Sequence, residues 1–225
     1  MATVTLFNSF ENTWPPEAIA GGAITLRTGT NLTYISSLGF TVTLRGTGFT
    51  FDDDGLPSGG TIGRMIISKG GVTYAEYTGI SADLARSGML LFGYDRDNGN
   101  HQGPDPFNFL QNILRDDDLM TGSVNNDEFF GSKGNDTING GAGSDGVGGE
   151  QGDDVMDGGA DWDTLYYDQG NFSWESYRGV DLDAVTGIAI DCRGDTDNFV
   201  NFERFKDSIY SDTLKGADSS LKCNV

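Results

Sequence analysis

Residues 122–166 read GSVNNDEFF GSKGNDTIN GGAGSDGVG GEQGDDVMD GGADWDTLY when cut every nine residues. Glycine opens every unit (Gly122, Gly131, Gly140, Gly149, Gly158). Aspartate stands sixth in each (Asp127, Asp136, Asp145, Asp154, Asp163), and an apolar residue eighth (Phe129, Ile138, Val147, Met156, Leu165). Three positions in phase through five units define a repeat, which a flexible Gly/Asp-rich linker has no reason to maintain.

The first six residues of a unit are rich in Gly, Asn, Asp and Ser, which suit tight turns and positive φ. The last three form a short strand whose middle side chain points inward, because strand side chains alternate faces. Two units then make one coil, and units two apart stack at about 4.8 Å. Such stacking brings Asp127 to Asp145, Asp136 to Asp154, and Asp145 to Asp163. A hard cation such as calcium takes six or more oxygens from carboxylates and backbone carbonyls. Five turns yield three complete two-turn sites of this kind.

The candidate ligands are the carboxylates of Asp127, Asp136, Asp145, Asp154 and Asp163. Turn carbonyls supply the rest, from Gly131, Lys133, Gly134, Gly140, Gly141, Ala142, Gly143, Gly149, Gln151, Gly152, Gly158 and Gly159. Departures from the pattern have local consequences. Asn125 and Asp161 replace the fourth-position glycine, which is expected to strain or re-aim their turns, and Ser123, Ser132 and Glu150 replace the second. Without calcium the segment is expected to be disordered, since its carboxylates repel and one apolar residue in nine makes a thin core.

This block resembles the repeats-in-toxin (RTX, haemolysin-type) calcium-binding family of secreted bacterial proteins. The resemblance implies a calcium-bound parallel β-roll that folds on meeting calcium outside the cell. It also implies passage, unfolded, through a type I secretion machinery. The expected localisation is therefore extracellular, without an N-terminal signal peptide.

Composition agrees with a cation-binding role. The chain has 225 residues and a formal charge of −20, from 34 acidic against 14 basic side chains. That charge argues against nucleic acid and anionic membrane surfaces, which attract basic patches. No apolar run approaches transmembrane length. The first 14 residues lack both the basic and the apolar region of a signal peptide. Cys192 and Cys223 are too few for a disulfide framework, and are read as either one bridge or two thiols.

The fold class read from the pattern is all-β. Residues 1–118 are expected to form a β-rich domain, 119–166 the β-roll, 167–206 a β-rich insert, and 207–225 the start of a second, truncated block, with more repeats expected downstream. In that last segment Asp212 stands sixth and Leu214 eighth, with Gly216 opening the next unit. In the first domain, strands are predicted at 3–7, 23–28, 32–35, 41–44, 61–68, 72–77 and 89–94. A short helix capped by Ser81 is predicted at 81–86. Residues 107–114 (FNFLQNIL) read as a helix or strand suited to cover the first coil, since a solenoid needs a cap.

Chemistry outside the repeats is sparse. His101 stands in a Gly/Asn/Pro loop, and neither a G-x-S-x-G elbow nor an H-E-x-x-H zinc motif occurs. Asp52-Asp53-Asp54 reads as a solvated turn ahead of Gly55. Asp116-Asp117-Asp118 has the better case for metal because it abuts the first turn. Trp14, Trp162 and Trp174 are candidates for a carbohydrate platform. The leading function is a non-enzymatic extracellular calcium-binding module serving secretion, adhesion to a cell surface or polysaccharide, or presentation of the first domain. The alternative is a fragment of a secreted, polysaccharide-active enzyme.

Overall fold

The computed structural model describes residues 1–7, 19–92, 106–167, 179–206, 208, 210–216 and 222–223. His101, Trp14 and Trp174 lie outside them. The chain divides into two compact units, Met1–Leu114 and Arg115–Val225. Both are built mainly of strands, as the pattern predicts.

The first unit is an antiparallel sheet of β1 (Thr3–Leu6), β2 (Ala23–Arg27), β3 (Asn31–Ile35), β4 (Thr41–Phe51), β5 (Pro57–Lys69) and β6 (Val72–Asp83). Their hydrogen-bonded order is β1-β6-β5-β4-β3-β2. Alternation places one face inside: Leu32, Tyr34, Val42, Leu44, Ile62, Met65 and Ile67 are buried. The buried Tyr34 hydroxyl donates to the Ile19 carbonyl at 2.7 Å, satisfying its one polar atom.

Two helices follow, α1 (Leu84–Phe92) and α2 (Pro106–Ile113). The predicted helix start is displaced, because Ser81 still belongs to β6 and Asp83 makes the cap. Asp83 Oδ1 accepts the Arg86 N–H at 2.7 Å. Of the strand predicted at 89–94, residues 89–92 are instead the end of α1, and 93–94 lie outside the described residues. A short apolar run is a case that periodicity alone cannot separate from a strand. Leu84 and Leu91 are buried as α1 packs on β5. In α2, Pro106 opens the helix where its missing N–H costs nothing, and the helix packs on α1 and β6. Asp52-Asp53-Asp54 does form the turn between β4 and β5, closed by the Leu56 N–H on Asp52 Oδ1 at 2.8 Å.

The second unit is a coil of short strands in two sheets. Its regular part holds β7 (Leu119–Thr121), β8 (Glu128–Lys133), β9 (Thr137–Asn139), β10 (Gly146–Gln151), β11 (Val155–Asp157) and β12 (Thr164–Tyr166). Strands β7, β9 and β11 pair in parallel on one side, and β8, β10 and β12 on the other. The register is that of units two apart: Ile138 faces Met156, and Phe129 faces Val147, which faces Leu165. All five eighth-position side chains are buried between the sheets. β8 and β10 run on into their turns, pairing Ser132 with Glu150 and Lys133 with Gln151.

The coil continues past Tyr166. It adds β13 (Asp181–Asp183), β14 (Ile188–Ile190), β15 (Thr196–Val200), β16 (Arg204–Lys206), β17 (Thr213–Lys215) and β18 (Lys222–Cys223). β15 pairs in parallel with β11, and β16 with β12. The segment read from sequence as an insert thus supplies the next coil. Among the described residues of that segment, the β13–β14 hairpin is foreign to the repeat. It sits so that β14 is antiparallel to β15, and β13 pairs in parallel with β17. Cys192 is buried, and the Cys223 side chain lies outside the described residues.

Candidate metal centre

Each turn presents its sixth-position carboxylate to the turn stacked on it. On one edge the Asp118 N–H donates to Asp136 Oδ1 at 2.8 Å, Asp136 N–H to Asp154 Oδ1 at 2.7 Å, and Asp154 N–H to Asp197 Oδ1 at 3.0 Å. On the other edge Asp127 N–H donates to Asp145 Oδ1 at 2.7 Å and Asp145 N–H to Asp163 Oδ1 at 2.8 Å. That edge ends with Asp163 N–H on Glu203 Oε2 at 3.0 Å. The three pairings read from the sequence are three rungs of these ladders.

The fifth position runs a second ladder in the opposite sense. Asn135 N–H donates to Asp117 Oδ1 at 2.9 Å, Asp153 N–H to Asn135 Oδ1 at 3.1 Å, and Ser144 N–H to Asn126 Oδ1 at 2.9 Å. Together the two ladders lock turn to turn without using the second oxygen of the sixth-position carboxylates.

Those second oxygens are the signature of the site. Oδ2 of Asp136, Asp145, Asp154 and Asp163, and Oδ1 of Asp127, are buried with no hydrogen-bond partner. A buried carboxylate oxygen without a partner is costly, so it marks a place made for a positive charge. The first-position glycines leave room for these carboxylates and for the main chain of the stacked turn: a Cβ on Gly122, Gly140 or Gly158 would meet the carbonyl of Gly140, Gly158 or Asn201. A Cβ on Gly140 would lie 2.6 Å from Asp145 Oδ2, and a Cβ on Gly131 or Gly149 would collide with the carboxylate of its own turn.

Glycine also sets the turn conformation. Gly134, Gly141, Gly143, Gly152 and Gly159 all have positive φ. Where glycine is replaced, Ser132, Glu150 and Asp161 keep positive φ at +83°, +73° and +84°, and carry the strain that L side chains meet there. Asn125 does not adopt it, so its turn is re-aimed rather than strained. Third-position Ala142 bridges Ala160 in the stack, and third-position Gln151 accepts the Gly134 N–H through its carbonyl at 2.9 Å. A carbonyl with one bond made retains a second lone pair.

Electrostatics point the same way. Burial, opposed by the ladder bond from Asp118 and reinforced by the nearby carboxylates of Asp154, Asp118 and Asp117, pushes the Asp136 carboxyl up to about 9. Burial likewise raises Asp145 and Asp154 to about 7, and lifts Asp127 and Asp163 above the ordinary carboxylate range. Carboxylates stacked in line, short of partners and far from cations, fit a hard divalent ion. Among the described residues no three or more His, Cys, Asp or Glu side chains converge as a metal cluster by themselves. The donor set is instead two carboxylates plus main-chain oxygens, which suits calcium rather than zinc.

Three ladder residues escape a reading keyed on first-position glycine: Asp118, Asp197 and Glu203. The surviving signal is the triplet of acid, any residue, apolar residue. It appears as Asp118-Leu119-Met120, Asp197-Asn198-Phe199 and Glu203-Arg204-Phe205, with Met120, Phe199 and Phe205 all buried. Asp212, placed sixth by the sequence, accepts the Val180 N–H at 2.6 Å where β17 joins β13. Of the candidate aromatic platform, Trp162 is exposed, with the Arg204 guanidinium 5.7 Å from its ring centre.

Comparison with known families agrees with this geometry. Residues 115–147 and 149–171 match the model of the RTX calcium-binding nonapeptide repeat, in four copies. The match spans well under half of the chain, and within it the chain is an RTX-type calcium-binding repeat block. Its start at residue 115 takes in Asp118, the first rung of the ladder. Comparison of the chain with curated proteins gives no match. No described helix is long and apolar enough to cross a membrane.

Proposed function

We propose that this chain is an extracellular calcium-binding module whose roll folds and is held together by calcium ions between stacked turns. The carrying observation is the two rows of buried, partnerless oxygens, on Asp127, Asp145 and Asp163 along one edge and on Asp136 and Asp154 along the other. Filling them with calcium turns a repulsive column into its main source of cohesion. Ions that bind the folded and not the unfolded chain stabilise it by mass action.

Calcium ligation would use the sixth-position carboxylates of adjacent rungs and the carbonyls of Gly131, Lys133, Gly134, Gly140, Gly141, Ala142, Gly143, Gly149, Gln151, Gly152, Gly158 and Gly159. Weak sites of this kind operate where calcium is millimolar, which supports a protein that works outside the cell. Export through a type I machinery as an unfolded chain accords with a roll that folds only on arrival. The folded roll then presents the first unit for adhesion to a cell surface or polysaccharide.

The test is a far-ultraviolet circular dichroism titration of the full chain from chelator into calcium, with magnesium as control. A cooperative gain of β signal at submillimolar to millimolar calcium is expected. A spectrum unchanged by calcium, together with no calcium uptake in equilibrium dialysis, would sink the proposal.

A further inference from the structure

Segment 192–200, CRGDTDNFV, lies outside the matched repeats, yet its register is that of a repeat unit. β15 on β11 places Phe199 on Met156, and the Asp154 N–H reaches Asp197, 43 residues on. The same offset puts Cys192 in the first position, Arg193 in the second opposite Glu150, and Asp195 in the fourth opposite Gly152. The Gly152 N–H donates to Asp195 Oδ2 at 3.2 Å, and the Thr196 N–H to Asp153 Oδ1 at 2.7 Å.

This turn satisfies itself with protein groups where the others do not. Asp197 Oδ2, the counterpart of the partnerless oxygens, accepts the Tyr167 hydroxyl at 2.9 Å. The partly buried Arg193 side chain reaches back across the gap. Its Nη1 donates to the Glu150 carbonyl at 3.1 Å and lies 3.7 Å from Asp191 Oδ2. Asp191 Oδ1 in turn accepts the N–H groups of Arg193, Gly194 and Asp195 at 2.7, 2.8 and 3.0 Å. In the regular turns that second-position carbonyl points along the stack and accepts the third-position N–H of its successor, Ser123 from Ala142 at 3.2 Å and Gly141 from Ala160 at 3.0 Å; here the Arg193 guanidinium takes that place and brings a charge with it. A Cβ on Gly159 would run into Gly141 O, and one on Gly141 into Ser123 O.

We propose that Arg193 stands in for calcium between the turns ending at Asp154 and Asp197, so that this end of the roll closes without metal. The wall of the gap asks for positive charge and for donors to a carbonyl, and a guanidinium supplies both permanently. The inference rests on the calcium reading of the other gaps. It makes the coil 192–206 a preformed surface on which calcium-dependent turns stack.

Amide hydrogen exchange on the full chain tests this, in chelator and in calcium, with calcium counted by native mass spectrometry. In chelator, the amides of Asp154 and Asn198, which span the gap, are expected to exchange at least roughly tenfold more slowly than those of Asp127, Asp136 and Asp145. Arg193→Ala should abolish that difference and raise the calcium count by one. Arg193→Gln, which keeps a donor for the Glu150 carbonyl but not the charge, should need calcium for the same protection. Unchanged calcium-free protection in either variant overturns the proposal. Calcium uptake by a chain whose Asp154 amide is unprotected in chelator sinks this proposal alone, whereas no uptake at all sinks it together with the functional reading.

Discussion

The main-chain N–H of Asp127 donates to Oδ1 of Asp145 over 2.7 Å, although the two residues are eighteen apart in sequence. One carboxylate oxygen is thereby committed to holding turn on turn, and Asp145 Oδ2 is left buried without a partner. In the proposed function the first oxygen holds the stack and the second is left for the metal.

Asp145→Ala removes both. It breaks a charge-assisted bond worth about 1.5–3 kcal/mol and disturbs the gaps on either side. Asp136 is equally internal, because Asp118 extends its ladder by one rung, so Asp136→Ala should match it. Asp127→Ala, at a ladder end, should cost less. Isothermal titration with calcium ranks the three; an Asp136 variant as mild as the Asp127 variant would remove Asp118 from the ladder.

Gly149→Ala puts a methyl group against the Asp154 carboxylate, 2.7 Å from its Cγ. Overpacking of this kind costs about 1–3 kcal/mol, and here it also displaces the oxygen proposed to meet the ion. The calcium midpoint should rise severalfold. Gly29→Ala is the control: nothing lies within 4 Å and φ is not positive, so stability should stay within about 0.5 kcal/mol.

Leu165→Ala empties a position that is fully buried between the two sheets of the roll. A loss of about 2–5 kcal/mol is expected in calcium-loaded protein. Val155 is 51% exposed on the outer face of the same coil, and Val155→Ala should be nearly silent by thermal melting.

Acid should favour the metal-free roll. Asp136, Asp145 and Asp154 have folded pKa values raised to about 9, 7 and 7, against about 3.9 for an unfolded aspartate. A raised carboxyl stabilises the fold fully below the unfolded value, and that contribution is lost as pH climbs through the folded values. Calcium-free chain should therefore hold more β signal at pH 5 than at pH 9. Calcium, which needs the ionised groups, should bind more weakly as pH falls below 7 and release protons on binding. Circular dichroism of stripped protein across that range checks the first statement, and proton release in weak buffer the second.

The repeat was readable because three chemical demands recur in phase. Glycine leaves room for a carboxylate, aspartate supplies it, and an apolar side chain fills the space between sheets. Asp197 and Glu203 were hidden because their turns meet those demands by other means. Cys192 stands where the first glycine would and Arg193 where the second would, Tyr167 comes from outside the unit, and the turn from Asn201 to Glu203 is three residues short. There Glu203, longer by one methylene, still reaches the Asp163 N–H. In the first unit, alternation located strands well, but β4, β5 and β6 run further than their alternating cores, through glycine-rich bulges. The helical identity of 89–92 was set by packing on β5, which no local pattern carries.

The β13–β14 hairpin interrupts the coil between β12 and β15. β11 and β15 meet in the same parallel register as β9 and β11, although more chain intervenes. The coil asks only that the stacked strands bracketing the excursion, β11 and β15, stay one strand spacing apart, about 4.8 Å. Lengthening the excursion costs little, about 0.6 kcal/mol for each doubling of a flexible loop. Each turn edge is accordingly an evolutionary docking port, where foreign sequence can be spliced in without renegotiating the architecture around it.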